Sequence, residues 1–142
     1  LRDAARGFDV ASIAMNIAIT CIAIASVLPI LCAGIAKRGG IATKTFDNNN
    51  PRAWLAKQTG AAARANAAQS NSWEALPIFA AGVLSAEFLQ VPQGRIDMMA
   101  MAFIACRVIY IGLYVGDIAT MRSVAWTAGL LLSLGLFFSN MF

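Results

Sequence analysis

The sequence predicts an all-α fold, a bundle of four transmembrane helices running up, down, up and down within a single domain, 1–142. Two observations predict it. Apolar residues make up 59% of the chain and the mean hydropathy is +0.68, far above an ordinary soluble domain. These residues fall into four stretches, 10–36, 70–89, 96–115 and 123–142, each close to the roughly 20 residues that cross a bilayer. Little chain remains outside them, so any chemistry has to sit between helices or in the connections, of which only 37–63 is long.

The first span is too long for the apolar core of a cleavable signal peptide, and no convincing small-residue cleavage site follows it, so it reads as a retained helix. Gly39 and Gly40 are expected to end it. The segment KTFDNNNPR at 44–52 is rich in turn formers, and Pro51 opens the next helix with Asn50 as its cap. From near residue 52 good helix formers dominate, so the second helix starts outside the lipid and continues into the span at 70–89. Pro77 offers no N–H to the Trp73 carbonyl and is expected to bend that helix, exposing an acceptor beside its polar face. QVPQG at 90–94 and GDIATMR at 116–122 form the remaining turns, and Ser123 is a natural cap for the last helix.

The net charge of +4 is concentrated rather than spread. Lys37, Arg38, Lys44, Arg52, Lys57 and Arg64 lie in or beside the first connection against a single acid, Asp47. That is the positive-inside pattern of a membrane protein rather than a surface for nucleic acid. It puts this connection and Arg122 in the cytoplasm. Glu87, Arg95, Asp97 and both termini then face the other compartment, with Arg2 and Arg6 accompanied by Asp3 and Asp9. The chain has no His, and Cys21, Cys32 and Cys106 stand isolated in apolar spans without metal-ligand spacing. They read as small buried hydrophobes, and no metal site is expected.

RANAAQSNSWEALPIF at 64–79 raises the sharper question, because polar residues run directly into an apolar span. At about 100° per residue, Arg64, Asn71 and Glu74 fall within about 80° of one another, whereas Asn66 and Gln69 point to the far side. One bundle interior uses one face; the other points to a second subunit alongside. On the third span Arg107, Tyr110 and Tyr114 share a face. Arg107 lies about 14 Å from the Gly116 end of its helix and Glu74 about 15 Å beyond Arg64 on the antiparallel neighbour. The depths match, and a buried charge needs a partner, so Glu74 is expected to pair with Arg107. Arg122 and Ser123 at a helix start would welcome an anion. These features describe a cytoplasm-facing pocket that is basic at its mouth (Lys37, Arg38, Arg122), polar on one wall (Asn71, Glu74) and phenolic on another (Tyr110, Tyr114).

RANAAQSNSWEALPIF together with RVIYIGLYVGDIATMRS at 107–123 resembles the MAPEG family, membrane-associated proteins in eicosanoid and glutathione metabolism, and most closely its bacterial branch. The resemblance implies a homotrimer of four-helix subunits in a bacterial inner membrane, with glutathione held between neighbours. Asn71 and Glu74 match positions that hold glutathione's polar backbone and γ-glutamyl end, and Gln69 a polar contact of some members. Arg107 matches the buried arginine of the third helix, and Tyr110 and Tyr114 its ligand-facing positions. Arg122 and Ser123 match the catalytic pair near the thiol, and Lys37 or Arg38 stands in for a first-helix arginine. Where several members carry arginine this chain has Ala67, leaving Arg64 as the nearest basic group. The implied activity is a glutathione-dependent transferase or peroxidase that activates the thiol against a lipophilic electrophile or lipid hydroperoxide arriving from the bilayer. Two other readings stand beside it: a non-catalytic accessory membrane subunit of the same fold, and a small transporter or channel using the same buried charges.

Overall fold

The computed structural model describes residues 16–141. The start of the first span at 10–15, the charges at Arg2, Asp3, Arg6 and Asp9, and the final residue of the last span, Phe142, lie outside them. The described chain forms α1 (Ile17–Ala42), α2 (Pro51–Ala56), α3 (Gly60–Phe88), α4 (Gln93–Val115) and α5 (Ala119–Phe137), closed by a 3-10 turn at Ser139–Met141.

α1, α3, α4 and α5 are long and pack as a bundle, α1 against α3 and α4, and α5 against α4 and α3. Polar contacts fix their alternating direction. At one end Asn16 caps α1 by accepting from the Ile19 N–H at 3.1 Å, and its amide donates to Glu87 at the end of α3 at 2.6 Å. Asp97, near the start of α4, accepts from the Ala18 N–H at 3.0 Å. Gln93 ties both acids together, donating to Glu87 at 3.1 Å and Asp97 at 3.0 Å. Arg95 Nη1 reaches the Ser139 carbonyl beyond α5 at 2.7 Å. The start of α1 therefore shares an end with the finish of α3, the start of α4 and the finish of α5, which is the up-down-up-down order.

α1, α4 and α5 are each long and apolar enough to cross a membrane. Their outer faces carry exposed large hydrophobics, among them Ile30, Leu31, Val108 and Leu131, as lipid contact requires. α3 has the length but carries Arg64, Asn66, Gln69, Asn71 and Glu74 in its first half. The core at the end nearer Asn16 is apolar, with Phe79 stacked on Phe103 at a centroid distance of 3.9 Å. Gly82 lets α3 approach α5 so closely that a Cβ there would lie 2.7 Å from the Ser133 carbonyl oxygen. Toward the other end small residues set the spacing, with Ala36 of α1 beside Ala65 of α3.

Three sequence expectations change. Gly39 and Gly40 do not end α1, which runs to Ala42; Gly40 instead makes room for the Trp54 ring, onto which any Cβ would project. The second helix is not continuous from residue 52. α2 closes at Ala56, where the Gln58 side chain takes the Trp54 carbonyl at 3.0 Å, and α3 starts afresh at Gly60 with φ +58, a left-handed conformation that glycine adopts without strain. Asn50 precedes α2 but makes no side-chain cap bond.

Candidate functional site

Arg107 is the hub. It lies on the inner face of α4 at 4% exposure, at the level the antiparallel register sets opposite residues 71 and 72 of α3. Its Nη1 donates to Asn71 Oδ1 and its Nη2 to Ser72 Oγ, each at 3.0 Å. Asn71 in turn donates from Nδ2 to Glu74 Oε2 at 3.4 Å. The expected Glu74–Arg107 ion pair is therefore not formed; among the described residues the only ion pair is Arg64–Asp117. Asn71 stands between the two because its amide offers an acceptor to one charge and a donor to the other. Glu74 thus stays exposed, with Asn71 as its hydrogen-bond partner.

Along α4 a ladder of rings and cations connects this hub to the bundle end. The Arg107 guanidinium lies over the Tyr110 ring at 4.3 Å, Tyr110 meets Tyr114 edge-to-face at 5.5 Å, and Arg122 covers Tyr114 at 4.3 Å. Cations over aromatic faces attract the ring quadrupole, more so where water is scarce. Ser123 sits differently from the expected cap. α5 begins four residues earlier, at Ala119, because Asp117 at φ +65 closes a tight turn in which the Ile118 N–H reaches the Leu113 carbonyl at 2.9 Å. Ser123 is consequently in the second turn of α5, and its hydroxyl donates to the Ala119 carbonyl at 3.2 Å.

The remaining candidates divide by direction. Arg64 reaches the finish of α4, donating from Nε to the Val115 carbonyl at 3.0 Å and pairing with Asp117 at 3.5 Å. Lys37 rests over the Phe46 ring at 5.3 Å, and Arg38 is exposed. With Ala36 packed near Val115, both cations belong to the same bundle end as Arg122, outside the cleft described next. In the adjoining loop Asp47 accepts from the backbone N–H groups of Asn49 and Asn50, which hold its carboxyl below the usual carboxylate range.

Two clefts flank α3. One, of about 200 Å³, opens between α3, α4 and α5; Asn71, Glu74 and Arg107 form its polar wall, and Ile78, Trp126 and Leu130 its apolar one. Ile78 directly follows Pro77, through which α3 passes without interruption. The other, of about 390 Å³, lies between α2 and α3 and is lined by Arg52, Asn66, Gln69 and Trp73 among others. Gln69 Oε1 is buried there without a hydrogen-bond partner. At about 100° per residue the two linings are centred about 140° apart around the α3 axis. Tyr110 and Tyr114 line neither cleft, so the single pocket expected from the sequence is resolved into a cleft, a ladder behind it and a second cleft on the far face.

The sequence profile of the MAPEG family matches residues 17–142, nearly the whole chain. The chain belongs to the MAPEG family. This family includes glutathione transferases and peroxidases of membranes. No curated protein and no solved structure matches the chain.

In this MAPEG chain sequence reasoning missed Ser72, Trp126 and Asp117. Ser72 was recoverable, since a buried guanidinium needs more than one acceptor and Ser72 lies beside Asn71 in the same register. Trp126 follows Arg122 by one helical turn and so shares its face. The Arg64–Asp117 contact had no sequence signal, because it depends on where the α4–α5 turn points.

Proposed function

We propose that this protein is a glutathione-dependent membrane transferase or peroxidase whose site is shared between subunits of a homotrimer. The observation that carries the reading is the pairing of polar faces on α3. Asn71 and Glu74 on one face, braced by Arg107, present an acceptor-rich wall for an ammonium and a peptide backbone. Gln69 lines the cleft on the other, its amide oxygen buried without a hydrogen-bond partner. A tripeptide extends about 10 Å, no more than the roughly 10–12 Å diameter of a helix, so one molecule does not reach round α3 to both faces. A neighbouring copy supplies the second face. A cleft of about 200 Å³ is also below the roughly 300–1,000 Å³ of a complete small-molecule site, as a half-site would be.

In this reading Glu74 holds the γ-glutamyl ammonium, Asn71 the adjoining backbone, and Tyr114 and Arg122 the region of the thiol, with Lys37 and Arg38 adding positive potential at that end. A thiol of this kind has a pKa near about 8.5. A guanidinium beside it favours the thiolate, each unit of lowering being about 1.4 kcal/mol of preferential stabilisation of the anion. The thiolate then forms a bond to an electrophilic carbon as the leaving group departs with its electron pair, or attacks a hydroperoxide oxygen as the O–O bond breaks. The basic residues gathered at that end support a cytoplasmic orientation.

Calorimetric titration of the detergent-purified protein with glutathione tests this. Wild type binds, and Glu74→Gln weakens binding about tenfold, as loss of a charge-assisted contact does. Absence of heat with an intact oligomer refutes it. One observation favours a non-catalytic reading: the Ser123 hydroxyl already donates to the Ala119 carbonyl. Binding without conjugation or peroxide reduction would select that reading.

A further inference from the structure

We propose that Arg64 is the positioning residue for Arg122: it holds the α4–α5 turn that sets Arg122 against Tyr114, and so against the thiol. The inference rests on the reading above, in which Arg122 favours the thiolate, and gives a task to a residue that reading leaves without one.

The last four carbonyls of a helix have no partner within it. The turn after α4 supplies amides for three of them: the Gly116 N–H donates to the Gly112 carbonyl at 2.9 Å, that of Ile118 to Leu113 at 2.9 Å and that of Asp117 to Tyr114 at 3.2 Å. The Val115 carbonyl is left to Arg64 Nε, which donates to it at 3.0 Å from α3. A cation there also meets the negative end of the α4 dipole. Arg64 Nη1 lies 3.5 Å from Asp117 Oδ2, on the residue whose φ of +65 closes the turn. Left-handed backbone at a residue other than glycine persists where its surroundings hold it. Arg64 engages this turn at two points, one on each side of Gly116.

Both members of the stacked pair hang from this turn. Tyr114 directly precedes Val115, and Arg122 is the fourth residue of α5, its N–H bonded to the Ile118 carbonyl at 3.0 Å. The 4.3 Å separation of guanidinium and ring therefore depends on the path of residues 116–118. A misplacement of about 1 Å in a reacting geometry costs on the order of a hundredfold in rate. Arg64 also stands about 10 Å before Asn71 along α3, so the helix that holds the peptide registers the helix that polarises its thiol. The second tie between α3 and α4, from Arg107 to Asn71 and Ser72, lies about 12 Å along α4 from Val115. Ties at two levels restrain α4 against α3 in tilt as well as rotation.

The test uses the shapes of two replacements. Glutamine carries Nε2 as many bonds from Cα as arginine carries Nε, so Arg64→Gln keeps a donor for the Val115 carbonyl and loses the charge. Arg64→Lys keeps the charge and puts a methylene where that donor was. Both are made in an Asp117→Asn background, because asparagine tolerates left-handed backbone and no freed carboxylate then acts on the thiol. Thiolate absorbance at saturating glutathione is followed as a function of pH, on either side of the ordinary thiol value of about 8.5. Relative to the parent, Arg64→Lys is expected to raise the midpoint by about one unit, which is about tenfold less thiolate at a given pH below it. Arg64→Gln is expected to leave the midpoint within about 0.3 unit, and both variants to bind the neutral thiol form within about twofold of the parent. The opposite order, or an equal rise in both, overturns the proposal. So do lower melting temperatures with unmoved midpoints, which would reduce Arg64 to a structural cap and leave the shared site standing. If wild type binds glutathione without forming thiolate, or does not bind it, the reading above fails and this inference falls with it.

Discussion

Ser72→Ala isolates the anchoring of Arg107 from any ligand. Ser72 Oγ accepts from Arg107 Nη2 at 3.0 Å and donates to the Ala68 carbonyl at 2.8 Å, and both residues are 4% exposed. Alanine removes one of the two acceptors serving a buried guanidinium, while Asn71 still accepts at 3.0 Å. A hydrogen bond to a charged group contributes about 1.5–3 kcal/mol, and low local dielectric favours the middle of that range, about 2 kcal/mol. In an Arg107→Met background the same change removes only the hydroxyl's bond to its own helix and should cost under about 0.5 kcal/mol. The coupling energy is then about 1.5 kcal/mol. Reversible unfolding of the four proteins in mixed detergent micelles, followed by circular dichroism, measures it. Equal losses from Ser72→Ala in both backgrounds would refute the claim that Arg107 is held by this pair of acceptors.

Gly82→Ala should destabilise by about 1–3 kcal/mol, because the added Cβ meets the Ser133 backbone oxygen at 2.7 Å; a melting temperature equal to wild type would contradict the close α3–α5 approach. Asp117→Asn should change stability by no more than about 1 kcal/mol, since the Arg64–Asp117 side chains are 29% and 69% exposed and Arg64 keeps its bond to the Val115 carbonyl. The Asp47 contacts carry a pH signature. A carboxyl held below its ordinary range keeps its contacts above the unfolded value of about 3.9 and loses them as pH falls through the lower folded value. Amide exchange protection at Asn49 and Asn50 should therefore persist through about pH 4 and disappear only below it; loss of protection near pH 6 would assign it to another group.

Much of the fold was legible because lipid imposes a simple rule. Residues that must avoid water for about 20 positions announce themselves, and Val108 or Leu131 needs no partner to be read correctly. Gly40 shows where that rule stops: a glycine that marks a helix end in sequence serves here as a seat for Trp54 from a distant segment. Gly60, by contrast, breaks a helix that residue propensities join, because positive φ is invisible until the chain turns there. At the site, the depth of Arg107 and its α3 partners followed from helical rise alone. Which atom it would bond did not, since Asn71 and Glu74 are three residues apart and the choice rests on side-chain reach. Ser123 was misplaced for a similar reason: the α4–α5 turn is closed by Asp117 at φ +65, and no cap residue advertises a start at Ala119.

The most direct test of the account is ultraviolet absorbance of the thiolate when glutathione is mixed with the purified protein at neutral pH, compared with Arg122→Ala. A thiolate signal is expected in wild type and should be abolished by Arg122→Ala, because the proposed site puts Arg122, stacked on Tyr114 at 4.3 Å, beside the thiol. Bound glutathione with no thiolate signal, or a signal that survives Arg122→Ala undiminished, would contradict it.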